Sequence, residues 1–280
     1  CQSVDKADSI IINGAVATVN TNAPTAEAIA IKDGRIMAVG NNQDIQQLAG
    51  SETETIDANG QFVMPGFIEG HGHFSGLGNS LMILNFMKSK NWDEVVQDVE
   101  KRVETAVEGE WITGRGWHQE KWDESPGRQV LGYPYHDGLS AISPDNPVVL
   151  RHASGHGLFA NKKAKDLAGV SKETPNPTGG KIVRDASGEA IGVFEETAMG
   201  VILKSYSEWR DGISTEQKSK EWHDGIALAE EECIKKGVTS FQDAGCSFQE
   251  VEMYKALADK GELDVRVWSM IRRPLIEIEN

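Results

Sequence analysis

The chain has 280 residues, enough for one large domain or two modest ones, and its 39% hydrophobic and 25% charged residues are those of an ordinary globular protein. A formal net charge of −15, with no cluster of Lys and Arg, excludes non-specific binding to nucleic acid, which depends on neutralising phosphates. No apolar stretch is long enough to span a bilayer, and the 3 cysteines, Cys1, Cys233 and Cys246, lack metal-type pair spacing and are too few for a disulfide framework.

Cys1-Gln2-Ser3 followed by a polar stretch resembles the start of a processed bacterial lipoprotein. Two readings stand: a lipid anchor at Cys1, with the body on the periplasmic side of a bacterial cell envelope, or a fragment boundary and a cytoplasmic protein. Residues 9–66 then read as short strands broken by turns. Residues 10–12 and 16–19 flank Asn13-Gly14, which suits a type I′ hairpin because both central residues need positive φ. Residues 28–31 and 35–39 flank Asp33-Gly34 in the same way, and Asn59-Gly60 separates Ile56 from Phe62. A small β domain over residues 1–61 is expected, or else outer hairpins of the main domain.

Val63-Met64-Pro65-Gly66-Phe67-Ile68-Glu69-Gly70-His71-Gly72-His73-Phe74 is an apolar strand that runs out in two histidines. Side chains at i and i+2 share one face of a strand, so His71 and His73 point together, with Gly72 leaving room between them. Neutral imidazole is the commonest protein ligand for zinc, which makes the pair half of a metal site. The alternative is two polar residues at a strand end. The run Pro65-Gly66-Phe67-Ile68-Glu69-Gly70-His71-Gly72-His73 resembles the first-strand signature of the metal-dependent amidohydrolase superfamily. Later segments are similar to amidohydrolase family 3, the branch that includes N-substituted formamide deformylase-like proteins.

That resemblance implies an α/β fold: a (β/α)8 TIM-type barrel, incomplete in this chain, with a small N-terminal β-sandwich. The expected boundaries are 1–61 for the sandwich part and 62–280 for the barrel portion, with a long loop insertion over 110–190. Beyond Phe62 the pattern changes to strands separated by helical stretches. Residues 92–108 carry Val95, Val96, Val99, Val103 and Val107 at helical spacing, a core-facing helix. Trp111-Ile112-Thr113-Gly114-Arg115-Gly116-Trp117 reads as a strand entering a glycine-rich loop and is similar to the family's Trp-Ile-x-Gly-x-Gly-Trp. Trp117 there either lines a substrate pocket or simply packs. Residues 123–146, rich in Pro, Gly, Asp and Ser, form a long excursion of the kind that often binds ligands.

Residues 147–151 are a buried-type strand, followed by His152 and His156, whose intervening Gly155 argues against a helical metal pair. Gly155-His156 through Asn161 and Ala164 resembles the family pattern Gly-His-x-x-x-x-Asn-x-x-Ala. By that resemblance His156, with His152 beside it, contacts substrate; the alternative is a loop histidine bonded to backbone. Gly192-Val193-Phe194-Glu195-Glu196-Thr197-Ala198 is similar to Gly-Val-Leu-x-Glu-x-Ala, which makes Glu196 the implied carboxylate ligand. Otherwise the two glutamates open a helix and favour its positive end. Residues 214–236 form a long helix with Gly237 as C-cap, and 238–245 a strand similar to Gly-Val-Thr-Ser-Val-His-Asp-Ala-Gly, with Gln242 in place of the histidine. A helix over 250–259 and a strand over 263–271 follow.

About five or six barrel strands can be counted, fewer than the eight a barrel needs. The family's later histidines and its catalytic aspartate have no counterpart here, so the catalytic base is expected beyond Asn280. The implied activity is hydrolysis of a non-peptide carbon–nitrogen bond in a small amide-type molecule. One or two divalent ions, zinc by expectation, would be held by His71, His73 and Glu196, with His156, His152 and Trp117 at the substrate. The alternative is a catalytically inactive surface lipoprotein with a binding role.

Overall fold

The computed structural model describes residues 5–272 and residue 274; Cys1, and the lipid anchor expected on it, lie outside the described residues. The chain forms two compact units, one from residues up to Gly72 together with those from Cys233 onward, the other from His73–Glu232. Among the described residues no helix is long and apolar enough to cross a membrane.

The first unit opens with two small sheets. One runs Arg35–Gly40, Ala28–Lys32, Ser9–Ile12, Glu54–Asp57; the other runs Thr25–Ala26, Ala15–Ala17, Phe62–Val63. Asp33-Gly34 forms the expected turn, with both residues at positive φ and Lys32 facing Arg35. Asn13-Gly14 does not: only Asn13 takes positive φ, and the strands before and after it enter different sheets. Asn59-Gly60 makes a second such switch between sheets. Ala7, Ile10, Ala28, Ala30 and Ile45 close the core under the larger sheet.

The same unit holds a parallel three-stranded sheet in which Val238–Cys246 lies between Phe67–Gly72 and Arg266–Ile271. The helix Phe248–Lys260 makes the crossover within it. Ser247 and Glu250 form a reciprocal capping box at its start, and Gly261 ends it in the left-handed conformation at φ 71.

The second unit is organised by a six-stranded mixed sheet in the order Gly180–Arg184, Ala190–Glu196, Gly157–Ala160, Val148–His152, Ile112–Trp117, Leu84–Asn85. The stretch expected as a loop insertion in a run of barrel strands therefore builds most of this sheet. The reason is local: only four residues join Val148–His152 to Gly157–Ala160, too few for a parallel crossover, so the chain must return antiparallel. One face of the sheet packs Phe86, Val95, Val99, Ile112, Leu139 and Leu150; the other packs Val149, Leu158, Ala160, Ile182, Phe194 and Ile202.

The helix expected over 92–108 spans Trp92–Val103, with Asn91 accepting from the Glu94 amide. It stops early because the Glu110 carboxylate takes the Arg102 guanidinium and the Val107 amide, while Asn146 donates to the Val107 and Glu110 carbonyls. The excursion at 123–146 contains a two-stranded hairpin, Gln129–Val130 with Tyr133–Pro134, and the helix Asp137–Ile142. Helices Phe74–Met82 and Thr215–Lys235 approach so closely that a Cβ on Gly78 would stand 2.1 Å from the Gly225 carbonyl oxygen.

Candidate functional site

His71 closes the Phe67–Gly72 strand, and His73, still extended at φ −128 and ψ 97, precedes the helix Phe74–Met82. The alternation of an extended backbone therefore holds from one imidazole to the next, and both rings are exposed. Gly72 is fixed by packing: a Cβ there would lie 2.4 Å from the Phe241 ring on the neighbouring strand. Glu69 accepts from the His71 amide at 3.0 Å, which steadies the strand end.

Among the described residues no group of three or more His, Cys, Asp or Glu stands together as metal donors. By donor chemistry the two imidazoles could supply half of a divalent ion's ligands. Glu196, expected as the carboxylate ligand, has a carboxylate oxygen 3.1 Å from His156 Nδ1.

That pair belongs to a polar cluster at one end of the six-stranded sheet in the second unit. Ile112–Trp117 and Val148–His152 end there, Gly157–Ala160 begins there, and Ala190–Glu196 ends there. His152 is edge-on to Trp117 at 4.6 Å and tilted against His118 at 4.6 Å. The Ser154 backbone N–H donates to His152 Nδ1 at 3.1 Å, so Nε2 carries the proton and donates to Gln119 Oε1 at 3.1 Å. Burial, reinforced by the His118 ring, pushes the His152 pKa down to about 4, which keeps this imidazole neutral. His118 Nδ1 is buried with no hydrogen-bond partner among the described residues.

Glu195 and Glu196 diverge as strand neighbours should. Glu195 turns inward and accepts from the Tyr133 hydroxyl at 2.9 Å; burial, then that bond, pushes the Tyr133 pKa up to about 12. Glu196 stays exposed, with its backbone at φ 53, a left-handed conformation that a glutamate rarely adopts. Its amide donates to the His156 carbonyl at 2.9 Å, so backbone and side chain both tie the two residues.

Trp117, expected at the substrate, is 0% exposed, a core residue whose indole N–H donates to the Leu150 carbonyl at 2.9 Å. His152 and His156 do come together with Glu196, as neighbours in one cluster. Tyr133 and Gln119 were not anticipated. Gln119 carried a faint signal in the Trp-His-Gln run, whereas Tyr133 meets its partner 62 residues away, which no local pattern reports. In the first unit Gln242, in place of the family's histidine, lines an open pocket of about 460 Å³ with Ile68 and Trp268. Asp243 beside it is buried and accepts from the Tyr254 hydroxyl at 3.0 Å.

Residues 54–279 match the model of an amidohydrolase family. The chain is 31% identical over 242 residues to Protein LONG AFTER FAR-RED 3 of Arabidopsis thaliana, an overlap of 86% of this chain and 39% of that protein. It is 29% identical over 261 residues to N-substituted formamide deformylase of Arthrobacter pascens, covering 91% of this chain and 46% of that one. An uncharacterized metal-dependent hydrolase from Pyrococcus furiosus superposes with a TM-score of 0.65 at 25% identity, over 94% of this chain and 50% of its own. The chain thus spans half or less of the length of these relatives.

Proposed function

The chain belongs to the amidohydrolase family, and from that premise we propose that it serves a metal-dependent hydrolase acting on the carbon–nitrogen bond of a small amide-type molecule. The observation that carries this reading is the His71-Gly72-His73 strand end, two exposed imidazoles on alternating positions of an extended backbone. In the same reading the three parallel strands are the first members of a (β/α)8 barrel, with the histidines at the C-terminal end of the Phe67–Gly72 strand. One or two divalent ions, zinc by preference, would take His71 and His73 as ligands, with Glu196 as a third donor once released from His156. Such an ion, when bound, supplies Lewis acidity and lowers the pKa of water towards neutrality.

The chain's own contribution lies in binding and orientation. His156 is exposed and braced by Glu196, a geometry suited to donating a hydrogen bond to a substrate carbonyl. Tyr133 keeps its proton and fixes Glu195, and neutral His152 fixes Gln119, so both half-buried groups are held in place.

The test is His71→Ala and His73→Ala in the protein carrying this chain, assayed for retained zinc and for hydrolysis of N-substituted formamides. Each substitution is expected to lower turnover at least 100-fold and to cut metal retention, with the melting temperature unchanged, because both side chains are exposed. Full activity in either variant overturns the reading, and an inactive parent protein would favour the surface-binding role.

A further inference from the structure

Arg115 and Arg151 are directly opposed on neighbouring parallel strands of the second unit. Register partners on adjacent strands project from the same face, so two positive charges stand side by side, an arrangement that costs stability. Elsewhere in this unit each arginine is engaged. Arg102 pairs with Glu110, Arg128 with Asp137, Arg210 with Glu221, and Arg184 donates to three backbone carbonyls. The guanidinium groups of Arg115 and Arg151 alone make no hydrogen bond or ion pair with the described residues of the unit, although the chain carries 43 acidic residues against 28 basic ones.

Both guanidinium-bearing residues line one cleft of about 320 Å³, formed between the sheet and the helices Phe74–Met82 and Met199–Asp211. No Asp or Glu lines it. Asn79 and Tyr206 add polar groups, and Ile83, Val149 and Leu203 give it an apolar wall. Burial raises the Tyr206 pKa while Arg210 and Arg151 oppose the rise, so Arg151 lies within electrostatic reach of the phenol.

We infer that this cleft binds an organic carboxylate, its anionic end forked by Arg115 and Arg151 and its short apolar body against Ile83, Val149 and Leu203. Planar guanidinium groups match carboxylates in bidentate geometry, and these two, exposed and without a protein counter-ion, are open to one. The apolar wall favours an organic acid over inorganic phosphate. The inference is independent of the metal reading, since its test reads binding and not turnover.

Hexanoate, its neutral counterpart hexanamide, and inorganic phosphate would be titrated calorimetrically into the wild-type chain and into Arg115→Gln, Arg151→Gln and Arg151→Lys. Hexanoate is expected to bind saturably, at least tenfold more tightly than hexanamide or phosphate, and at least tenfold more weakly in either Gln variant, with Arg151→Lys intermediate. Thermal unfolding keeps the test sound: without ligand the Gln variants should melt at or above the wild type, because like charges are separated, and hexanoate should raise the melting temperature most in the wild type, less in Arg151→Lys and least in the Gln variants. Equal binding of hexanoate and hexanamide, undiminished binding in the Gln variants, or tighter binding of phosphate would each overturn the assignment.

Discussion

Asn161 is the residue that most repays attention at the smallest scale. It sits in the Gly-His-x-x-x-x-Asn run beside His156, yet it is fully buried and works as a structural tie. Its Oδ1 accepts from the Val148 and Ala164 amides, and its Nδ2 donates to the Ser143 carbonyl and hydroxyl and to the Asn146 carbonyl. Truncation would remove a helix cap and strand several buried polar groups at once. Asn161→Ala should therefore cost about 3 kcal/mol, read from denaturant unfolding. His152 sets a pH dependence. Its folded pKa is lowered from 6.5 to about 4, so the unfolded chain binds the extra proton. Its contribution to stability is full above about 6.5 and is lost as pH falls from there towards 4. Melting temperatures across that window should drop in the wild type and drop less in His152→Gln; equal slopes would remove His152 as the cause. Glu196, held at φ 53, stores strain beside the same cluster, a cost typical of functional positions.

Among the elements, the crossing of Phe74–Met82 over Thr215–Lys235 is the tightest. Gly78→Ala would drive a methyl against the Gly225 carbonyl, so the helices must separate, and a loss of at least about 2 kcal/mol is expected in thermal or chemical unfolding. The long helix itself was legible from its apolar spacing and its terminal glycine, since both are local signals. Asp33-Gly34 was legible for the same reason. Asn13-Gly14 carries an equally good turn dipeptide, yet the following strand pairs with Phe62–Val63 and not with its neighbour. A dipeptide reports the bend of the backbone, and only remote partners decide which sheet the next strand joins. The end of the Trp92–Val103 helix was illegible because the Glu110 carboxylate takes the Val107 amide that would have bonded back to Val103.

For the whole molecule, the histidine strand, the family and the α/β character were readable, because they rest on a contiguous motif. The partition into two units was not. Strands separated by helical stretches look alike whether they build one parallel sheet or two sheets of different kinds, and the brevity of residues 153–156 was the one clue to antiparallel pairing. The cluster of Tyr133, His152, His156, Glu195 and Glu196 is likewise a product of sheet pairing: its members are drawn from the ends of strands that only the fold makes adjacent.

The close contact of Gly78 with Gly225 also bears on how the chain reaches this state. Phe67 finds its strand partner in Val238, and joining points so distant on a flexible chain costs about 4–5 kcal/mol in closure entropy. The residues between them form a unit of their own, and its two end segments are already pressed together where those helices cross. Once that intervening unit has folded, the free chain shrinks to residues 67–78 on one side and 225–238 on the other. Pairing of Phe67 with Val238 then closes a loop far shorter than their separation in sequence, and the closure entropy falls accordingly.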